Sequence, residues 1–94
     1  MARVRWSDTA LADVFGIGEY IAQNSPMMAE AVTLAILTAG DELQYFPKRG
    51  RVIPEINKES AREIFYKSYR IMYDIVDGDI EITGVIHGAR DFGA

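Results

Sequence analysis

The sequence predicts an α+β fold in the order β-α-α-β-β-β, with a helical hairpin packed on one face of a small antiparallel sheet. Three observations carry this. The alternating runs Tyr69 to Val76 and Asp79 to His87 flank Asp77-Gly78, a dipeptide that supplies the positive φ values of a type I′ hairpin turn. A third run, Arg62 to Tyr66, reaches that hairpin through only Lys67-Ser68, so the three strands form an antiparallel meander. Upstream, two segments of helical period meet at Asn24-Ser25-Pro26, which can end one helix and begin the next.

In chain order, Arg3-Val4-Arg5-Trp6 alternates as a short strand with one buried side, and Ser7 offers an N-cap to a helix starting near Asp8. Leu11, Val14, Phe15, Gly18, Ile21 and Ala22 recur at three- and four-residue spacing and form the core-facing stripe of that helix. Gly16 and Gly18 each weaken a helix interior by about 1 kcal/mol, so they are expected where another backbone comes close. The second helix carries Ala29, Val32, Ile36, Ala39, Leu43 and Phe46 on its apolar side and ends at Phe46-Pro47. Lys48-Arg49-Gly50-Arg51 follows as a basic turn, and residues 47–61, with Pro47, Gly50, Pro54, Asn57 and Ser60, read as an ordered loop.

Alternation assigns the sheet faces. Tyr69, Ile71, Tyr73 and Ile75 share one side of their strand, and Ile80, Ile82 and Ile86 one side of the next; these are expected under the helices. The other face is expected to display Arg70, Met72 and Asp74 beside Glu81, Thr83, Val85 and His87, a mixture suited to contact with another macromolecule.

Composition bounds the function. Ninety-four residues, about half of them apolar, form a single domain spanning 1–94 with one modest core. With no cysteine and one histidine, disulfides and thiolate metal sites are excluded and no cofactor or metal is expected. No apolar run approaches the ~18 residues of a membrane span and no export signal is recognisable, so the expected location is the cytoplasm, away from membranes. The net charge of −4 opposes bulk binding to nucleic acid, yet residues 47–70 hold seven basic against three acidic groups, +4 locally. That local excess suggests one targeted anionic contact or a partner with a matching acidic segment.

The order and spacing of several short motifs resemble the RelE/ParE superfamily of small bacterial toxins from type II toxin-antitoxin systems. They are Trp6-Ser7 with Ala10, Tyr20-Ile21-Ala22, Leu43-Gln44-Tyr45-Phe46-Pro47, Gly50-Arg51, Arg62-Glu63, Tyr69-Arg70-Ile71-Met72-Tyr73 and Val85-Ile86-His87-Gly88-Ala89-Arg90-Asp91. The resemblance implies a compact α+β fold, a cognate antitoxin bound in a hetero-oligomer, and growth inhibition when the antitoxin is lost. RelE-like members cleave messenger RNA on the ribosome, whereas ParE-like members poison DNA gyrase with no catalytic constellation of their own.

Cleavage by 2′-hydroxyl attack needs a base, a cation for the phosphate and an acid for the leaving oxygen. Arg70 and Arg90 match family arginines that could brace a phosphate, His87 could transfer a proton near neutral pH, and Glu55 could serve as a base. The strand before Arg70 reads Glu63-Ile64-Phe65-Tyr66 where RelE-like enzymes place lysines, and Phe92 is the only aromatic residue near the C-terminus, where a tyrosine is expected. The sequence therefore favours the ParE side: gyrase as target and no catalysis. A ribosome-dependent endoribonuclease and a module that keeps only antitoxin binding are the alternatives. Each candidate also has a structural reading. Arg70 can pair with Asp74, Glu63 or Glu81, His87 can be a hydrogen-bonded residue at a strand end, Arg49 and Arg51 can sit in solvent, and Arg90 with Asp91 can pin the terminus.

Overall fold

The computed structural model describes residues 1–88. Strand β1 (Val4–Trp6) leads into α1 (Asp8–Ala22) and α2 (Pro26–Asp41), followed by a 3₁₀ turn at Glu42–Gln44. Strands β2 (Arg51–Val52), β3 (Ala61–Tyr66), β4 (Tyr69–Val76) and β5 (Asp79–His87) complete the chain. They form one sheet in the order β1-β5-β4-β3-β2. The meander is antiparallel as expected, whereas β1 lies parallel to β5, with Val4 opposite Ile80 and Trp6 opposite Ile82, so the sheet is mixed. Alternation in a three-residue strand reports its buried side and carries no information on its neighbour's direction.

The local signals act where the sequence places them. Ser7 Oγ accepts from the Ala10 amide at 3.0 Å and Ser25 Oγ from the Met28 amide at 3.2 Å, so each helix has its N-cap, with Pro26 opening the second. Asp77 and Gly78 take φ values of 52° and 82°, the left-handed pair of a type I′ turn. Gly18 packs against α2, where a Cβ would lie 2.9 Å from Thr33 Cγ2; the close neighbour is a side chain rather than backbone, and Gly16 faces open space.

Ala10 and Val14 of α1 and Val32 and Ile36 of α2 close over Ile71, Tyr73, Ile80, Ile82 and Val85, with Leu43 beside them. Each fully buried aliphatic side chain contributes roughly 1.5–3 kcal/mol, which makes this the main source of stability. Two expected core residues point outward. Phe15 lies about 100° around the helix from Val14, off the stripe formed by Ala10, Val14, Ile17 and Ile21, and is exposed. Phe46 is exposed because α2 ends at Asp41; the tighter 3₁₀ turn keeps Leu43 inside and changes the phase beyond it.

A β-bulge corrects the face assignment at the end of β5. Met72 pairs with Gly84 and Tyr73 with Ile82, so Thr83 has no partner and every later side chain swaps sides. Val85, expected on the outer face, is in the helix-side core, while Ile86, expected under the helices, packs with Ile53, Ala61 and Met72 on the other side. The Val85 amide donates to Asp13 Oδ2 at 2.9 Å, tying the strand to α1 just past the bulge. The outer face is not bare. The start of the 53–60 segment lies over it, with Ile53 buried against Met72 and Glu55 bonded to Arg70, and the Ser60 carbonyl, accepting from the Ile75 amide, rejoins the β3–β4 ladder.

Candidate functional site

Under that covering segment four charged side chains form an alternating chain. Arg70 of β4 donates from Nε to Glu63 Oε1 at 2.6 Å, and its two terminal nitrogens each donate to a different oxygen of Glu55 at 2.8 Å. Glu63 accepts a further bond from Arg51 Nε at 2.8 Å, and the Arg51 guanidinium lies 5.1 Å from the centre of the Phe65 ring. The side chains of Arg70 and Glu63 are 5 % and 0 % exposed, so neither charge could sit there alone. Hydrogen bonding to Glu55, with Glu63 adding to it, holds the Arg70 guanidinium above its ordinary pKa despite the opposing cost of burial. Among the described residues the result is a network of two guanidinium groups and two carboxylates in which Arg70 is directed at both carboxylates.

The candidate residues separate accordingly. Arg70 and Glu55 come together, but as partners of each other. His87 is expected beside Arg70 on the outer face; the bulge instead places it opposite Tyr69, with the two rings edge to face and their centres 5.8 Å apart. There it borders a cleft on the helix side with Asp13, Ile17 and Tyr20. Arg90, with Asp91, lies outside the described residues. Of the three acids weighed as Arg70 partners, Glu63 takes that place, while Glu81 pairs with Arg5 of β1. Arg51, expected in solvent, keeps an exposed flank yet joins the network.

Two anchoring residues were not singled out as functional by the sequence. Tyr73, fully buried, donates its hydroxyl to the Pro47 carbonyl at 2.7 Å and accepts from the Gly50 amide at 2.9 Å. Burial raises its pKa above the usual tyrosine value, with the Gly50 amide pulling the other way. Arg62 donates to the carbonyls of Lys48 and Gly50 at 3.3 and 2.8 Å, so the turn after the second helix is held by its backbone from below. The alternating tyrosine was a legible sign that Tyr73 faces inward; its partner 26 residues upstream was not. Large apolar side chains remain exposed on the helical hairpin, at Phe15, Tyr20, Met27 and Leu34, and on the turn, at Tyr45 and Phe46. Among the described residues no group of three metal-ligating side chains occurs, and no helix is long and apolar enough to cross a membrane.

Comparison with known proteins places this architecture. The family model described as the ParE toxin of the type II toxin-antitoxin system parDE matches residues 4–92. The chain is 38% identical over 90 residues to Toxin RelE2 of Caulobacter vibrioides, covering 96% of this chain and 99% of that one. It is 39% identical over 92 residues to the protein Y4kP of Sinorhizobium fredii, covering 96% and 92%. A solved structure of the chromosomal ParDE toxin-antitoxin system of P. aeruginosa shares the fold with a TM-score of 0.77 at 19% identity, covering 93% of this chain and 96% of that chain. The toxin-antitoxin complex RelBE2 of Mycobacterium tuberculosis does so at 0.59 and 24%, covering 95% and 93%. With nearly the whole length matched in both sequence and fold, the chain belongs to the ParE toxin family of type II toxin-antitoxin systems, within the RelE/ParE superfamily.

Proposed function

We propose that this toxin inhibits growth by binding DNA gyrase, makes or breaks no covalent bond itself, and is silenced by a cognate antitoxin in a hetero-oligomer in the cytoplasm. The observation that carries the reading is the engagement of Arg70 by Glu63 and Glu55. A nuclease would need Arg70 turned toward a scissile phosphate, yet its guanidinium is committed to Glu63 and Glu55, and His87 lies across the sheet. The ParE family model supports the gyrase side, and the two solved neighbours, both toxin-antitoxin systems, support the antitoxin. The exposed apolar groups of the hairpin, Phe15, Tyr20, Met27 and Leu34, suit a helix laid along them. Purified chain freed of antitoxin should block gyrase supercoiling or trap cleaved DNA. Untouched gyrase together with shortened translated messages would overturn the reading.

A second reading has one observation in its favour: the relative at 38% identity is named Toxin RelE2. If the chain were a ribosome-dependent endoribonuclease, His87→Ala would abolish toxicity while leaving antitoxin binding intact, as would Arg70→Ala wherever that variant, which strands the buried Glu63 carboxylate, still folds. Absence of any toxicity on induction in bacteria would instead mark a module that keeps antitoxin binding alone.

A further inference from the structure

The turn that joins α2 to β2 is ordered from beneath and open above. Tyr73 and Arg62 fix the carbonyls of Pro47, Lys48 and Gly50, and the Arg49 amide donates to the Phe46 carbonyl at 3.0 Å. On this braced backbone Tyr45 and Phe46 are 56 % and 70 % exposed. An exposed aromatic pair on a loosely held loop would usually fold down onto apolar surface; here the anchored backbone holds both rings outward. They border an open cleft of about 750 Å³ whose wall is completed by Pro47 and Ile75.

Cations outnumber carboxylates around this cleft. Lys48 and Arg49 line it and Lys58 lies alongside in the adjoining depression, also against Ile75; all three are exposed, and none forms an ion pair with the described residues. Of the nearby carboxylates, Glu55 is engaged by Arg70, and Glu59, which shares that depression with Lys48 and Lys58, is paired with Arg62. Three cations on a protein of net charge −4 therefore border an apolar cleft without an ion pair among the described residues.

We propose that this cleft is a docking site for an acidic peptide segment of a partner protein, one that carries an aromatic or aliphatic anchor residue. The anchor enters between Phe46 and Ile75, and flanking carboxylates meet Lys48, Arg49 and Lys58. Preorganisation by Tyr73 and Arg62 removes part of the ordering cost of binding, and an aromatic anchor ringed by charges is the arrangement of an interface hot spot. Single-stranded nucleic acid also uses aromatic and cationic groups, but the aliphatic wall and the negative charge of the rest of the chain favour a short acidic segment over a long polyanion. The site stands independently of the gyrase reading.

The test uses the full chain and a short fluorescein-labelled peptide of glutamates around one tryptophan, with a glutamine-for-glutamate version and oligothymidine as competitors. The glutamate peptide should bind, and amide shifts should be confined to residues 45–49 and the neighbourhood of Ile75. Phe46→Ala and the pair Lys48→Glu with Arg49→Glu should each weaken binding about tenfold or more. Arg3→Glu, on β1's approach, should leave it unchanged. All these side chains are exposed, so the variants fold, which circular dichroism verifies. Stronger competition by oligothymidine, peptide binding indifferent to the substitutions, or a concentration-dependent dimer abolished by Phe46→Ala would each overturn the proposal.

Discussion

On the helix side of the sheet Ile71, Ile80 and Ile82 meet Ala10, Val14, Val32 and Ile36, and the contacts are apolar throughout. On the other side Met72, Ile53, Ala61 and Ile86 form only a small apolar patch, and beside it Arg70 and Glu63 are buried as ions. The two faces differ in what a single change does. Apolar packing is non-directional and degrades in proportion to the volume removed. A buried ion chain is conditional: each charge is tolerable only while its partner is present. The helix side therefore supplies the bulk of the folding free energy, whereas the outer side fixes where the 53–60 segment lies and keeps Arg70 turned inward.

That contrast can be broken most sharply at Glu63. Glu63→Ala leaves Arg70 buried without one of its two described carboxylate partners, and a loss of about 3–5 kcal/mol in denaturant unfolding is expected. Replacing Glu63 by Leu and Arg70 by Met together should recover most of that loss; if the double variant is as unstable as the sum of the singles, the two charges are not acting as a coupled unit. On the apolar side Ile71→Ala should cost ~2–5 kcal/mol through the cavity it leaves, with additive behaviour toward changes at Glu63 only if the two faces are independent.

Tyr73 gives the smallest effect and the most specific one. Tyr73→Phe removes the hydroxyl shared by Pro47 and Gly50 and leaves buried backbone groups unpaired, for a loss of about 1–3 kcal/mol. Its raised pKa has a definite sign in stability. The folded state holds the phenol proton more tightly than the unfolded chain, whose value is near 10, so the contribution is complete below that value and is lost as pH rises toward the folded-state pKa. Unfolding midpoints should fall more steeply above pH ~10 in the wild-type chain than in Tyr73→Phe; parallel curves would show that the phenol is not tied down as described.

The bulge at Thr83 accounts for the site residues that alternation misplaced. Counting by twos from Ile80 puts Ile86 under the helices and His87 beside Arg70; one unpaired residue reverses both. A signal was present, since an isolated glycine inside an alternating strand, here Gly84, marks bulges and close approaches. Glu63 was legible as one of three carboxylates within reach of Arg70, because β3 and β4 had to be neighbours. Selecting it over Glu81 required knowing that β1 docks beside β5 and that Arg5 takes Glu81. Glu55, weighed as a base, could not be recognised as the clamp on Arg70, because a loop's path over a sheet is set by contacts such as Ile53 against Met72 that have no local pattern.

The two helices, the strands β1, β3, β4 and β5, the N-caps and the type I′ turn were legible in the amino-acid order alone, since hydrophobic period, Ser7, Ser25-Pro26 and Asp77-Gly78 act over a few residues; β2, read as loop, and the end of α2 at Asp41 were not. The direction of β1, the side of the sheet on which His87 lies, the closing of Arg70 by Glu63 and Glu55, and the bracing of the aromatic turn by Tyr73 were decided only in three dimensions. Each of these joins residues far apart in the chain, and the free energy that selects such a partner comes from burial and charge balance, which no short stretch of sequence contains.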